Sequence, residues 1–279
     1  CTVFGTAGTG GFGIKNDSIG SYTTYQQTVI TIFMILFGVN FNVYFLFLLK
    51  KIRQGLKNEE LRAYLGIILG AILLITVNIA GKFGNPFLAF HHAAFQVGSI
   101  ITTTGFATCD FDLWPSLSKC VLVLLMLVGA CAGSTGGGIK ISRVLILIKR
   151  AGEELHKFIF PNSVTKIRLE KKILDREVVH TTSAFLIVYV FIFAISTLLV
   201  SAEGHDLETC FTAVAATFNN IGPGLSVVGP TRNFGFFSDF TKYVLIFDML
   251  AGRLELFPML ILFSPRTWLK NPPLFRKHS

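Results

Sequence analysis

The amino-acid sequence predicts an all-α membrane protein built from repeated units, each a span, a short re-entrant helix and a second span. Hydrophobic residues make up 52% of the 279-residue chain and charged residues only 15%, with a mean hydropathy of +0.61. A soluble domain carries more charge. Short apolar helices recur between the longer apolar runs. The first of these short helices has about 13 residues, fewer than the roughly 20 residues that a bilayer span needs. We therefore expect the chain to lie in membrane lipid.

The basic residues and the cysteines exclude two other classes of protein. The formal net charge is +9. The cations lie at the ends of apolar runs and not along a face with interleaved aromatic residues, so they indicate membrane topology rather than a nucleic-acid surface. The five cysteines show no paired metal-ligand spacing. We expect neither nucleic-acid binding nor a cysteine metal site.

The first 57 residues predict the tail of one unit. Residues 8–13 form a glycine-rich turn that matches the dinucleotide pattern G-x-G-x-x-G, but no strand precedes it, so we reject that function. An apolar span follows over residues 22–49 and ends in Lys50 and Lys51, which places that end in the cytoplasm. Because the sequence begins with Cys1 and already lies in a glycine turn, we expect a fragment of a longer protein.

A complete unit is predicted over residues 58–150. A span over residues 61–81 leads outward to a short helix that Asn85 can cap, with Pro86 in its first position. The stretch from Gly98 to Gly105 is expected to carry the chain out of that helix. Beyond an outer loop, an apolar run over residues 120–132 is broken in mid-membrane by residues 133–140 and resumes over residues 141–148.

Residues 151–279 are predicted to hold a basic cytoplasmic segment followed by a second complete unit. A span over residues 178–200 leads outward, and Asp206 in the following acidic loop can cap a short helix over residues 207–218. Residues 219–224 form another glycine turn, and the last span, residues 243–263, returns to the cytoplasm. The same order of elements therefore occurs twice in the same orientation.

This order predicts a cation pore. The short helices would direct their C-termini, each with about half a negative charge, toward a shared cavity. Carbonyl groups of the following turns would replace the water shell of an ion, and glycine leaves those carbonyls unobstructed. The alternative is a secondary transporter of another small solute with broken helices, which inverted repeats would favour. These residues alone leave the ion open.

Four motifs carry a resemblance to a known family. They are Thr-Thr-Thr-Gly-Phe-Ala-Thr at residues 102–108, Gly-Ala-Cys-Ala-Gly-Ser-Thr-Gly-Gly-Gly-Ile-Lys at residues 129–140, Asn-Asn-Ile-Gly-Pro-Gly-Leu at residues 219–225 and Gly-Arg-Leu-Glu at residues 252–255. Together they resemble the Trk branch of the Trk/Ktr/HKT superfamily of potassium uptake proteins. The resemblance implies four M1-P-M2 repeats around a pseudo-fourfold pore. Residues 1–57 would end the second repeat, residues 58–150 would be the third, and residues 151–279 would hold a cytoplasmic loop, the fourth repeat and a C-terminal tail.

The resemblance also implies the function and the partners. The protein would be a multi-pass protein of the bacterial inner membrane that takes up potassium ions and catalyses no covalent chemistry. It would need no organic cofactor, and the metal at its filter carbonyls would be the transported potassium ion. A second copy in a homodimer and a cytoplasmic nucleotide-binding regulatory subunit would be its protein partners.

By the same resemblance, the glycine turns form a selectivity filter. Gly105 and Gly222 would be filter glycines, and in the first turn we favour Gly11, which precedes Phe12, over the neighbouring Gly10. Re-entrant loops that merely close a bundle are the structural alternative. The candidate filter residues are Thr9, Gly10, Gly11, Thr103, Thr104, Gly105, Asn220, Ile221 and Gly222.

Residues 133–140 are the candidate gate. They do not form a phosphate-binding P-loop, because Ile139 separates Gly138 from Lys140 and no strand precedes them. A glycine patch for close helix packing is one interpretation. The resemblance implies an unwound loop below the filter that obstructs the pore and moves on gating. The gate candidates are Gly133, Ser134, Thr135, Gly136, Gly137, Gly138, Lys140 and Arg253.

Arg253 is placed near the middle of the last predicted span, where a charge costs at least about 3 kcal/mol unless it is paired or hydrated. A salt bridge to another helix and a positive barrier in contact with the glycine loop both remain open. Asp248 and Glu255 are poorly spaced to be its direct partners on one helix. We expect His91 and His92 to make packing or polar contacts, because no third metal ligand lies nearby.

Overall fold

The computed structural model describes residues 1–161, 167–170, 172–254 and 256–268. The all-α prediction is confirmed apart from one small antiparallel hairpin, β1 (Arg168–Leu169) and β2 (Lys172–Ile173). The described helices are α1 (Thr2–Ala7), α2 (Thr24–Phe37), α3 (Phe41–Leu48), α4 (Ile52–Leu56), α5 (Glu59–Phe83), α6 (Pro86–Ile101), α7 (Ser116–Val128), α8 (Ile141–Ile159), α9 (Arg176–Ser201), α10 (Leu207–Phe218), α11 (Asp239–Arg253) and α12 (Leu256–Leu262). Short 3-10 turns lie at Phe111–Leu113, Ser226–Val228 and Pro265–Trp268.

Two described helices, α5 with 25 residues and α9 with 26, are long and apolar enough to cross a membrane. They confirm the spans predicted over residues 61–81 and 178–200. In α5 the side chain of Asn58 caps the first turn and Gly84 ends the helix in a left-handed conformation. Many of their large apolar side chains are exposed, as expected for helices in contact with lipid.

The short helices α6 and α10 are capped as predicted. The side chain of Asn85 accepts a hydrogen bond from the amide two residues on (2.9 Å), and Asp206 accepts one from the amide three residues on (3.0 Å). The bounds of α10 match the prediction. The expectation that α6 ends near Gly98 was wrong, since the helix continues to Ile101. Gly98 packs against Ile35 of α2, and one glycine costs a helix interior only about 1 kcal/mol.

The span predicted over residues 22–49 is in fact two helices, α2 and α3, bent by 90° at a short break. A Cβ at Gly38 would lie 2.2 Å from the hydroxyl oxygen of Tyr64, so α5 approaches the backbone closely at the break. The carbonyl of Gly38 accepts a hydrogen bond from the amide of Cys131 (3.1 Å). The break is tolerated because other parts of the protein satisfy its exposed backbone groups.

The last predicted span is also divided, because α11 ends at Arg253 and α12 begins at Leu256. Pro258 lies in the first turn of α12, where its missing amide leaves no helical bond unmade. In one continuous helix the same proline would remove the bond to the carbonyl of Leu254. Arg253 is therefore the last residue of α11, at a helix C-terminus, and not in the interior of one continuous helix.

The interruption predicted over residues 133–140 is confirmed but begins earlier than expected. Helix α7 ends at Val128, and residues 129–140 form an irregular segment between α7 and α8. The amide of Ile141 donates to the carbonyl of Ala130 (3.0 Å), so the two ends of this segment lie side by side. The helix α8 continues to Ile159, well beyond the apolar run that was expected to end at Ile148. Its extension enters the segment predicted to be cytoplasmic.

The two re-entrant helices occupy the centre of the described fold. Helix α6 packs between α5 and α2 and also contacts α7, and α10 packs between α9 and α11. Nearly every residue in the second half of α6, and most of α10, is buried. The turns that follow these helices are thus surrounded by protein, which irregular backbone at membrane depth requires.

Candidate functional site

Three glycine turns, one after each of α1, α6 and α10, share one backbone conformation. In each turn a residue with positive φ is followed two positions later by a glycine with positive φ. Such angles are costly for the β-branched threonine and easier for asparagine, which implies that the surrounding structure imposes them at Thr9 and Thr103. The six residues are Thr9 (49°), Gly11 (66°), Thr103 (57°), Gly105 (83°), Asn220 (57°) and Gly222 (104°).

The hydrogen bonds of the turns repeat in the same register. The amides of Gly10, Thr104 and Ile221 donate to the carbonyl five residues earlier, at 2.9, 2.9 and 2.8 Å. These three residues are therefore structurally equivalent. The following glycines, Gly11 in the first turn and Gly105 in the second, are equivalent to each other, which favours Gly11 over Gly10 as the counterpart of the later glycines.

The turns lie next to one another. A Cβ at Gly11 would lie 2.0 Å from the carbonyl oxygen of Thr104, and a Cβ at Gly105 would lie 1.9 Å from that of Ile221. The first turn thus abuts the second, and the second abuts the third. A Cβ at Gly222 would meet nothing within 4 Å, and a cavity of about 700 Å³ separates the third turn from the first.

The second turn is held by a network of buried hydroxyl groups. Thr102 donates to the carbonyl of Gly98 (2.7 Å), and its oxygen lies 2.8 Å from that of Thr104. Ser99 donates to the carbonyl of Phe106 (2.6 Å). All these polar side chains are buried, so their hydrogen bonds fix the turn rather than leave it free to relax.

The glycine loop, residues 133–140, lies directly against two of the turns. The hydroxyl of Thr9 donates to the carbonyl of Thr135 (2.9 Å), and the amide of Gly137 donates to the hydroxyl of Thr103 (2.6 Å). A Cβ at Gly137 would lie 2.6 Å from the carbonyl oxygen of Asn219, which precedes the third turn. Glycine is required here because the loop backbone approaches other backbone too closely for a side chain.

Arg253 also reaches this loop. One guanidinium nitrogen donates to the carbonyl of Thr135 (3.3 Å), the same oxygen that accepts from Thr9. The side chain is exposed and borders the cavity of about 700 Å³. Within the described ranges no carboxylate pairs with Arg253, and Glu255 lies outside them. Among the described residues, the charge thus has a carbonyl dipole on one side and borders an open cavity.

The remaining sequence candidates are placed as follows. Lys140, which has a positive φ of 76°, directs its ammonium group to the carbonyl of Gly136 within the loop. His91 contacts Gln27 (2.7 Å) and His92 contacts Thr108 (3.0 Å), so both make polar contacts as expected. Among the residues that the structure describes, no group of three or more His, Cys, Asp or Glu could hold a metal ion.

Sequence reasoning missed Tyr189. This buried residue of α9 donates its hydroxyl proton to the side chain of Asn219 (2.9 Å), whose amide nitrogen in turn donates to the carbonyl of Ala215 (2.9 Å). The bond braces the start of the third turn from outside. The sequence gives only a weak indication of this role, because a tyrosine within an apolar span indicates only that its hydroxyl group has some hydrogen-bond partner.

Comparisons with known proteins find relatives of similar sequence. A family model described as TrkH, cation transport protein, matches residues 85–270. The Trk system potassium uptake protein TrkH of Escherichia coli K12 is 34% identical over 269 residues, covering 95% of this chain and 55% of the relative. TrkG of the same organism is 32% identical over 272 residues, covering 96% of this chain and 56% of the relative.

A solved structure is also similar. The crystal structure of the potassium transporter TrkH from Vibrio parahaemolyticus aligns with a TM-score of 0.87 at 34% sequence identity. The alignment covers 95% of this chain and 58% of the solved chain. The chain thus spans a little over half of the length of the relatives that it matches.

Proposed function

This chain belongs to the TrkH family of cation transport proteins, and on that premise we propose that its three glycine turns line a pathway for potassium ions. The family and the membrane-length helices make it a multi-pass protein of the bacterial inner membrane. Its relatives are named as uptake proteins and not as enzymes. The cargo in this proposal is the potassium ion itself, and no organic cofactor takes part.

The observation that carries the proposal is the threefold repetition of one strained backbone turn at the buried end of a short helix. The helix C-termini bring partial negative charge to the turns, and backbone carbonyls can replace the water shell of a potassium ion. We assign these carbonyls to Thr9, Gly10, Thr103, Thr104, Asn220 and Ile221, with Gly11, Gly105 and Gly222 as the filter glycines.

The three turns lie side by side, and a gap remains between the third turn and the first. The first turn abuts the second and the second abuts the third, whereas Gly222 faces the cavity that separates it from Thr9 and Gly10. We propose that a further turn of the same kind, from another part of the complete protein, occupies this cavity. The four-repeat division at residues 57 and 150 belongs to the same proposal, and the greater length of the relatives supports it.

We assign the gate to the glycine loop together with Arg253. Contacts of the loop with Thr9 and Thr103 support this assignment, because a loop held against the filter turns would block the path of an ion. Arg253 adds a positive charge at the same carbonyl, that of Thr135, and so raises the barrier to cations. The gate residues in this proposal are Gly133, Ser134, Thr135, Gly136, Gly137, Gly138, Lys140 and Arg253.

The proposal includes two protein partners. The protein would form a homodimer, and a cytoplasmic nucleotide-binding subunit would regulate it. Both partners are in keeping with the family resemblance of its sequence motifs. The secondary-transporter alternative is not favoured, because the order of a long helix and a short helix repeats in α5–α6 and α9–α10 and the relatives are named as potassium uptake proteins.

The gate is tested by Arg253→Ala and by deletion of residues 136–138 in the complete protein. Each change is expected to raise basal rubidium flux through reconstituted vesicles, because each removes a barrier. Thermal unfolding in detergent is measured in parallel. An arginine with a structural role predicts lower stability instead, because Arg253→Ala would remove a hydrogen bond that holds the carbonyl of Thr135. Lost protein or lower flux from Arg253→Ala would therefore assign that residue to the scaffold.

A further inference from the structure

Glu60, the second residue of α5, is a carboxylate in the interior of the fold, only 4% exposed. Its Oε1 atom accepts hydrogen bonds from the backbone amides of Ala132 (2.7 Å) and Ser142 (3.2 Å). These two amides stand on either side of the glycine loop, one where the chain enters it and one where the chain leaves it. A single carboxylate oxygen thus joins both ends of the loop.

The second carboxylate oxygen of Glu60 reaches the broken span. The side-chain amide of Asn40 lies 3.4 Å from it, and Asn40 caps α3 at the 90° break. We call the two ends of the glycine loop, around residues 132–133 and Ser142, its base. The base also makes a backbone contact with the break, because the amide of Phe41 donates to the carbonyl of Gly133 (3.1 Å). Glu60 therefore connects three parts of the fold, namely α5, the break after α2 and the base of the glycine loop.

The base of the loop and its tip, residues 135–137, are held by different kinds of hydrogen bond. At the base, backbone amides donate to a carboxylate, and hydrogen bonds to an ionised acceptor are roughly twice as strong as neutral ones. At the tip, the contacts of Thr135 and Gly137 with Thr9 and Thr103 are between neutral groups, and the contact of the charged Arg253 with the carbonyl of Thr135 is longer (3.3 Å) and exposed. The Glu60 side chain is buried, although the amides of Ala132 and Ser142 are only half-buried, and losing the carboxylate would remove the acceptor of both amides. The base and the tip thus differ in the charge of the acceptor. This difference favours a fixed base and a tip that can detach.

We propose that Glu60 is the positioning residue that clamps the base of the glycine loop, so that the tip closes the pathway in a fixed place. The proposal rests on the gate assigned above. It concerns a residue that does not touch the ion and acts only through the loop.

Glu59 provides a matched control in the same helical turn. Its carboxylate pairs with the ammonium group of Lys149 on α8, and its side chain is 37% exposed. Glu59→Gln removes the same charge as Glu60→Gln without changing a contact of the loop. An effect specific to Glu60 thus separates the clamp from a general change in charge at the start of α5.

The experiment compares Glu60→Ala, Glu60→Gln and Glu59→Gln in the complete protein. Hydrogen–deuterium exchange of the amides of Ala132 and Ser142 measures the clamp directly, and rubidium flux through reconstituted vesicles measures its consequence. For Glu60→Ala we expect exchange about tenfold faster at both amides, as for loss of a bond to a charged acceptor, and severalfold higher basal flux. Glu60→Gln keeps an acceptor oxygen and should fall between it and the wild type, while Glu59→Gln should resemble the wild type.

The outcomes distinguish the clamp from the gate. If deletion of residues 136–138 raises flux but folded Glu60 variants leave flux and exchange unchanged, the clamp is wrong and the gate stands. If the deletion has no effect on flux while exchange at Ala132 and Ser142 rises in Glu60→Ala, the gate is wrong although the clamp exists. Failure of both Glu60 variants to fold would assign the residue to the scaffold and overturn the proposal.

Discussion

Replacing Gly105 by serine perturbs the proposed filter at the closest approach between two turns. The added Cβ would lie 1.9 Å from the carbonyl oxygen of Ile221, whereas ordinary contact begins at 3.4 Å, so the two groups must separate by about 1.5 Å. The left-handed backbone costs an L-residue a further 1–2 kcal/mol, roughly, and overpacking about 1–3 kcal/mol. A carbonyl displaced this far cannot keep its place around a potassium ion.

The expected result is a folded protein with reduced selectivity for rubidium over sodium. Both fluxes are measured in vesicles that hold the complete protein, with thermal unfolding as the check on folding. The control is Gly66→Ser on the exposed side of α5, where an added Cβ meets nothing within 4 Å. The reasoning is refuted if Gly105→Ser remains folded and its ratio of rubidium to sodium flux equals that of the wild type.

Two further predictions follow from named contacts. Thr103→Val removes the buried acceptor of the Gly137 amide, which should cost about 1–3 kcal/mol of stability and raise basal flux, whereas Thr103→Ser keeps both at wild-type values. In the outer loop, hydrogen bonding by Ser238 lowers the pKa of Glu203 below its ordinary value of 4.5. The stabilisation from Glu203 is therefore present above pH 4.5 and lost as the pH falls through the lower folded-state pKa. A pH series of thermal unfolding should show this loss in the wild type but not in Glu203→Gln.

The elements that could be predicted from the sequence are those whose signals are local. The helix α10 begins after the capping residue Asp206 and ends before Asn219, as predicted, because caps and turn residues determine both ends. The spans α5 and α9 follow from continuous apolar runs. The break at Gly38 could not be predicted, because it depends on the approach of Tyr64 and on a bond from Cys131, both distant in sequence.

The candidate site likewise has features that could be predicted from the sequence and features that could not. The glycine turns and the glycine loop stand out in the sequence because threonine and glycine interrupt apolar runs. The contacts between turns, such as Gly11 against Thr104, are tertiary and have no local signal. Glu60 looks like any acidic residue in the first turn of a helix, where the helix dipole alone would explain it. Only the folded chain brings its carboxylate to both ends of the loop.

The central claim is that equivalent turns present their carbonyl groups to one potassium pathway. Anomalous diffraction from crystals of the complete protein grown in rubidium tests it most directly, because rubidium marks the sites of potassium. The account predicts rubidium density among the carbonyl oxygens of Gly10, Thr104 and Ile221, above the glycine loop. Rubidium bound elsewhere in the protein, with none among these three carbonyls, would contradict it.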